Sequence, residues 1–350
     1  MSENLTLYRK YRPQSLDEVV GQKTVIENLK NSIAEKKITH AYLFTGSRGI
    51  GKTSIARAFA KELKINEADI YELDAASNNG VDDIKELING TYTLPFYSEY
   101  KMYILDEVHM LSRAAANAFL KTLEEPPKHV IFVLATTDPE KLLDTILSRC
   151  ARFDLKKPSI EILQNHLENI CQKENIKIEA EALYAIALAG DGSFRDSLVH
   201  LQKVISSTSP SLSLAGEGQN ISESQVADIL GIPNFVNIFK YLKALDGITE
   251  KTFGIEAIQE TEKQNIDEKL FSKTLLFYVR ILLEARLGFI KMDYIQKEFG
   301  EYIGKEIEEI LKNKTPKILS GILVKLLEID NKIKNSSQPY LLYEILLLEN

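Results

Sequence analysis

The sequence predicts an α/β fold: a domain built on a five-stranded parallel sheet, then a small helical lid, then an all-α region. Three observations lead there. A glycine-rich loop, Gly46-Ser-Arg-Gly-Ile-Gly-Lys52-Thr53, follows a short apolar run and opens a stretch with helical apolar spacing. Apolar runs of strand length then alternate with helical stretches as far as Leu155, the signature of βαβ units. Beyond Lys156-Lys-Pro158 no strand pattern recurs.

The bulk properties set limits. A chain of 350 residues exceeds what one core organises, so two or three domains are expected. A net charge of −7 argues against gripping nucleic acid over the whole surface, while leaving room for a few placed cations. The two cysteines, Cys150 and Cys171, form no C-x-x-C pattern, so neither a zinc site nor a disulfide framework is expected, and a reducing, cytoplasmic setting fits. The first residues carry no apolar run of a signal peptide, and no segment approaches a membrane span.

In chain order, Leu7-Tyr-Arg-Lys-Tyr-Arg-Pro13 is basic and aromatic, suited either to phosphates or to packing across a base. Ser15-Leu-Asp-Glu18 has the spacing of a capping box, and a helix follows over about Lys23 to Glu35. Strands are predicted at Ala41–Thr45, Ile70–Asp74, Lys101–Asp106, His129–Ala135 and Ala151–Leu155. Helices are predicted between them at Ser54–Leu63, Val81–Asn89, Ser112–Leu123 and Leu142–Leu147. Helices over Ile160–Lys173, Ala180–Ala189 and from Gly190-Asp-Gly-Ser-Phe-Arg195 to about Ile205 make the lid. Ser206 to Asn220, rich in Ser and Gly, reads as a linker. Ile221–Asn350 reads as all-helical, with a capping box at Ser222-Glu-Ser-Gln225 and separate helices at Tyr294–Phe299 and Lys305–Leu311. The expected domains are thus 1–156, 157–205 and 221–350, with 206–220 as connector.

The glycine loop fits G-x-x-x-x-G-K-[ST] in the strand–loop–helix context that this phosphate-binding pattern needs. Backbone N–H groups over Gly46, Ser47, Arg48, Gly49, Ile50 and Gly51 would face the phosphates, with Ser54 in the first helical turn and the helix dipole adding to the attraction. Lys52 would reach the terminal phosphates, and the Thr53 hydroxyl would ligate Mg²⁺. The strand Lys101–Asp106 ends in Asp106-Glu107: Asp106 would hold the metal's water shell opposite Thr53, and Glu107 would orient the attacking water. Thr136 and Thr137, at another strand tip, would lie beside the γ-phosphate.

In their order, Tyr8-Arg-Lys-Tyr-Arg-Pro13, Val20-Gly-Gln22, the glycine loop, Leu105-Asp-Glu-Val-His-Met-Leu-Ser112, Leu120-Lys-Thr-Leu-Glu-Glu-Pro-Pro127, Ser148-Arg-Cys150 and Gly192-Ser-Phe-Arg-Asp196 resemble one family. It is the DnaX (gamma/tau) family of bacterial DNA polymerase III clamp-loader subunits, which are AAA+ ATPases. The resemblance covers residues 8–196; the helical last third matches by pattern and length alone. It implies ATP and Mg²⁺ as cofactors. It makes Arg149 an arginine finger acting on a neighbouring subunit's nucleotide, Arg195 the sensor-2 arginine, Thr136 or Thr137 sensor 1, and Arg12 to Val20 part of the adenine pocket. Residues 221–350 would be an oligomerisation collar. Implied partners are delta- and delta-prime-like subunits in a pentameric, ring-like assembly, the sliding clamp and primer-template DNA, with no membrane. DNA contacts would fall at the turn from Ser77 through Gly80 and at Arg113.

The chain departs from the family twice. The cysteine module that many members carry after the glycine-loop helix is missing, so no zinc is expected. The chain also resembles the short gamma form, which leaves tethers to polymerase and helicase undecided. Other classes fit less well. A non-hydrolysing structural subunit would not need both Lys52-Thr53 and Asp106-Glu107. Another AAA+ motor, such as a branch-migration helicase, leaves Leu-Glu-Glu-Pro-Pro and Ser-Arg-Cys without a role, and a small-molecule kinase leaves the helical third unexplained.

Overall fold

The computed structural model describes residues 6–212, 220–264, 266–312, 314–333 and 336–349, which fall into two compact units. The first comprises the chain up to His166 together with Gly190–Val199, and the second Leu167–Ala189 with His200–Asn350. The first opens with α1 (Leu7–Lys10) and α2 (Lys23–Ala34). There follow β1 (Ala41–Thr45), α3 (Lys52–Glu62), β2 (Ile70–Asp74), α4 (Val81–Thr91), β3 (Lys101–Asp106), α5 (Arg113–Glu124), β4 (Val130–Thr136), α6 (Asp144–Leu147) and β5 (Ala151–Asp154).

The five strands form one sheet in the order β2-β3-β4-β1-β5, and every pairing is parallel. β1, β3 and β4 are nearly continuous apolar runs because helices cover the sheet on both faces. Side chains alternate between two cores. Tyr42, Phe44, Met102, Ile104, Ile131 and Val133 pack with Ile55 and Phe59 of α3 on one face. Leu43, Tyr103, Leu105, Phe132 and Leu134 pack with Phe119 and Leu123 of α5 on the other. Register fixes what lies at the carboxyl edge: Thr45 pairs with Thr136 and with Asp154, and Asp74 with Asp106. The chain leaves β1 and crosses to β2 at the far side of the sheet. A crevice therefore opens beyond the end of β1, where ligands of open parallel sheets bind.

Buried charges brace the strand entrances. Lys101 starts β3 with its ammonium donating to the Gly90 carbonyl (2.9 Å) and the Thr93 hydroxyl (2.7 Å). Asp69 accepts the backbone N–H groups of Phe96 (2.6 Å) and Tyr97 (2.9 Å). Burial alone would raise its pKa, but these bonds more than offset that and hold it below its ordinary value.

The remaining elements are helical: α7 (Ile160–Lys173), α8 (Ala180–Ala189), α9 (Phe194–Leu212), α10 (Glu223–Leu230), α11 (Phe235–Leu245), α12 (Lys251–Lys263), α13 (Glu268–Arg286), α14 (Met292–Leu311), α15 (Pro316–Ile333) and α16 (Pro339–Glu349). In the second unit α11 packs on α12, α13 on α15 and α12 on α16 around buried Tyr241, Phe271, Tyr278 and Tyr343. Two tyrosine hydroxyls at this core find backbone partners: Tyr241 donates to the Tyr343 carbonyl (3.1 Å) and Tyr340 to that of Ile266 (2.8 Å). Lys243 joins α11 to α14 through Glu306 (2.7 Å) and Glu309 (2.6 Å). No helix among the described residues is long and apolar enough to cross a membrane.

Three local expectations change. The helix expected to stop near Ile205 continues to Leu212, into the interval read as a linker, while 213–219 lie outside the described residues. Leu201, Val204 and Thr208 carry its buried stripe past Ile205, and the Thr208 hydroxyl is satisfied within the helix on the Val204 carbonyl (2.9 Å). The two helices expected around Gly300 and Gly304 are a single α14, because Ile295, Phe299, Ile303, Ile307 and Ile310 form one buried stripe. Its burial outweighs the roughly 1 kcal/mol cost of each helical glycine. Ser15 does not cap Leu16–Glu18; instead Glu18 accepts the Gln14 N–H (2.7 Å).

Glu223, at the start of α10, is pushed up to about 7, first by burial and then by Glu179, Asp228 and Glu181, against the lowering effect of the Phe235 N–H. The folded chain keeps a proton there that the unfolded chain has already released, so stability declines as pH rises from about 4.5 to about 7. Glu223→Gln should remove that slope and raise stability at pH 8 by on the order of 1–2 kcal/mol, allowing for solvent screening. Paired thermal melts at pH 5 and pH 8 would check this.

Candidate nucleotide-binding site

The site grows from the end of β1. Gly46, Gly49 and Gly51 all adopt positive φ (137°, 74° and 107°), so the loop can turn its N–H groups inward only with glycine there. Gly49 has a second constraint. A Cβ at this position would fall 1.9 Å from Ser193 Oγ, and the Gly49 carbonyl accepts the Arg195 N–H (3.4 Å). The start of α9 therefore lies directly on the phosphate loop. Asp196 N–H bonds to Ser193 Oγ (3.1 Å), fixing the serine that needs the missing side chain.

Lys52 begins α3 and is buried, with its ammonium donating to the carbonyls of Gly46 (2.7 Å) and Ser47 (3.0 Å). Burial lowers its pKa, and the charges of Glu107, Asp106 and Asp138 offset part of that effect. Thr53 Oγ1 donates to Asp106 Oδ2 at 2.8 Å, bringing together two hard oxygen donors from α3 and β3. Asp106 Oδ1 accepts the Glu107 N–H (2.9 Å). Glu107 itself is left-handed (φ 48°, ψ 44°), a conformation that a non-glycine residue keeps only when its surroundings enforce it. The enforcement is visible: Thr137 donates to Glu107 Oε2 from its N–H (3.3 Å) and its hydroxyl (3.1 Å).

These residues open onto a cleft of about 820 Å³, a size suited to a nucleotide. Arg48 through Ser54, Asp106 and Glu107 form one wall; Arg12, Val19, Val20 and Tyr8 from the N-terminal segment form another, and Arg195 reaches in from α9. Arg12 donates to Ser54 Oγ (3.3 Å), and its pKa is lowered by burial and then by Arg57. The Arg195 guanidinium stacks 5.1 Å from the Tyr8 ring centroid.

Other expected residues lie elsewhere. Gly46 and Ser47 do not line the cleft, but their carbonyls hold Lys52. Thr136 does not face it either. It ends β4 with its side chain fully buried, and its hydroxyl lies 2.9 Å from His109 Nδ1. Strand alternation turns Thr136 under the sheet and leaves Thr137 to meet Glu107. Arg149 is outside the cleft, with one nitrogen on Glu124 and another on the Thr145 carbonyl (2.8 Å). Ser77 and Arg113 are exposed, Arg113 starts α5, and Gly80 precedes α4 as its N-cap. Ser112 N–H donates to the Asn79 carbonyl (3.1 Å), so the starts of α4 and α5 are tied together. Sequence reasoning assigned no role to His109 or to Tyr8's contact with Arg195. Both lie inside the recognised motifs, but their roles come from pairing across the chain.

A family model described as DNA polymerase III, delta subunit matches residues 21–80 and 64–159, and one described as DNA polymerase III clamp loader subunit, ATPase lid domain matches residues 162–208. The DNA polymerase III subunit gamma of Buchnera aphidicola subsp. Schizaphis graminum is 39% identical over 260 residues, covering 68% of this chain and 69% of that protein. The chain belongs to the DNA polymerase III subunit gamma/tau family. Two further gamma/tau relatives are longer. The tau subunit of Bacillus subtilis (strain 168) is 37% identical over 326 residues, 85% of this chain and 56% of that protein. The Escherichia coli (strain K12) tau subunit is 44% identical over 246 residues, 64% of this chain and 37% of that protein. The chain thus spans about half or less of the length of these tau relatives. Among solved structures, the Thermotoga maritima RuvB Holliday junction branch migration motor superposes with a TM-score of 0.53 at 23% identity, over 67% of this chain and 79% of that one. That likeness concerns the fold, and the gamma/tau member has the AAA+ architecture expected from its sequence.

Gly49→Ala tests the double constraint on the loop. It should weaken ATP binding at least tenfold and lower stability by about 1–3 kcal/mol. Removing the clash with Ser193→Gly in the same chain should restore only part of either, because the positive φ remains; calorimetric titration and melting would measure both.

Proposed function

We propose that this chain is an ATP-hydrolysing motor subunit of a DNA polymerase III clamp loader. The observation that carries the reading is the Thr53–Asp106 pair at 2.8 Å, with Glu107 one residue on and Lys52 on the same wall of the cleft. A subunit that only bound nucleotide, or served as scaffold, would not need this complete set.

The residues divide the work. Lys52 exchanges two neutral carbonyls for phosphate oxygens, a stronger, charge-assisted bond. The loop N–H groups and the start of α3 hold the phosphate chain. Thr53 and Asp106 supply oxygen donors that fit Mg²⁺, which when bound would neutralise charge on the phosphates. Glu107 orients the attacking water and accepts its proton, which requires its carboxylate to turn from Thr137 toward the cleft. Arg195 leaves the Tyr8 face to contact the γ-phosphate. Arg12, Tyr8 and Val20 receive the base and sugar.

Arg149 acts on the nucleotide of a neighbouring subunit; its position outside its own cleft supports this. Residues 157–205 serve as the lid that carries Arg195, and 221–350 as the collar through which subunits associate. The assembly is a pentameric ring with delta- and delta-prime-like subunits. ATP binding orders it to open the sliding clamp and hold primer-template DNA, and hydrolysis releases the clamp. The DNA backbone meets the starts of α4 and α5, near Ser77, Gly80 and Arg113.

Arg149→Ala should leave ATP affinity within about threefold of wild type and cut hydrolysis in the assembly by roughly 10³-fold or more. Loss of binding would contradict action in trans. Wild-type hydrolysis indifferent to clamp, DNA and partner subunits would contradict the loader itself. Glu107→Gln should bind ATP and assemble while hydrolysing it at least a hundredfold more slowly.

A further inference from the structure

His109 lies two residues beyond Glu107, in the short helical turn Val108–Met110, with only 7% of its side chain exposed. Both ring nitrogens face polar groups of the strand ends. Nδ1 is 2.9 Å from Thr136 Oγ1 and 3.4 Å from Glu107 Oε2, and Nε2 is 3.5 Å from Asp138 Oδ2. The Thr136 hydroxyl also accepts the Asp138 N–H (3.1 Å), and Thr137 holds the same Glu107 oxygen that faces the ring. The imidazole thus stands between the glutamate and the tip of β4. A histidine kept only for its bulk would need no polar partner at either nitrogen. His109 is not among the residues lining the cleft.

We propose that His109 is a positioning residue: its Nδ1 edge sets the distance between the Glu107 carboxylate and the Thr136–Thr137 strand tip, and transmits a change at that tip to the glutamate. It acts through Glu107 and does not touch nucleotide. The inference deepens the ATPase reading and rests on it. Its signature is a loss in kcat with ATP affinity unchanged, because the phosphate loop and Lys52 are untouched. Asn at this position can place an amide nitrogen near the site of Nδ1, whereas Gln reaches toward that of Nε2.

The test compares the full chain with His109→Leu, His109→Asn and His109→Gln, in whichever assembly supports wild-type turnover. ATP binding is measured by titration and hydrolysis by phosphate release. The expected result is a loss of at least tenfold in kcat for Leu at unchanged ATP affinity, most of it regained by Asn and little by Gln. Leu hydrolysing like wild type would overturn the proposal, as would Leu losing affinity in proportion to rate. If Leu does not fold, Asn and Gln decide: Asn faster than Gln supports the role, and equal or reversed rates overturn it. A wild-type chain that binds no ATP would instead count against the ATPase reading, so the two failures are distinguishable.

Discussion

Everything in the first unit depends on the parallel register that brings the ends of β1, β3 and β4 to one edge. Thr45 faces Thr136 across the β1–β4 ladder, and Asp106 ends β3 beside them. A slip of one residue would turn Asp106 into the core and an apolar neighbour toward the loop, because side chains alternate along a strand. Both faces of these strands are apolar, so hydrophobicity alone does not choose the register. The slip is opposed by the fit of unequal side chains, Tyr42, Phe44, Ile104 and Val133 in one core and Leu43, Leu105, Phe132 and Leu134 in the other. The chemistry at the edge is thus positioned by contacts that contain no chemistry themselves.

That dependence explains what could be read in advance. The strands, the glycine loop, Lys52, Thr53, Asp106 and Glu107 were legible because each belongs to a local pattern. Apolar runs mark the strands, and the loop and the strand-end carboxylates sit at fixed offsets from them. The five-stranded parallel sheet followed directly. What was not legible depends on distant partners. Thr136 and Thr137 are adjacent and chemically alike, yet one is buried against His109 and the other holds Glu107. Only the pleat at the end of β4 separates their fates. Gly49 could be read as a loop glycine, but not as the seat of Ser193, which lies far along the chain. The helix boundaries near Ile205 and Gly300 differ from the expectation for a related reason: local turn-forming composition yields to stripes buried against other helices, Leu201, Val204 and Thr208 in α9 and Ile295 through Ile310 in α14.

The strain at Glu107 joins these two themes. Left-handed backbone in a glutamate is unfavourable in isolation, so the surrounding bonds must maintain it. Asp106 holds its N–H and Thr137 its carboxylate, so this residue is set by neighbours from the ends of two strands.

The contact of Lys52 with the carbonyls of its own loop carries a last consequence. The ammonium donates to two carbonyls of the loop that precedes it, so the start of α3 is tied back toward the end of β1 by the chain itself. Its positive charge meets two carbonyl dipoles and remains a full charge, with Glu107, Asp106 and Asp138 offsetting part of the cost of its burial. The loop is clasped from within, and its curvature is set by a bond between its two ends.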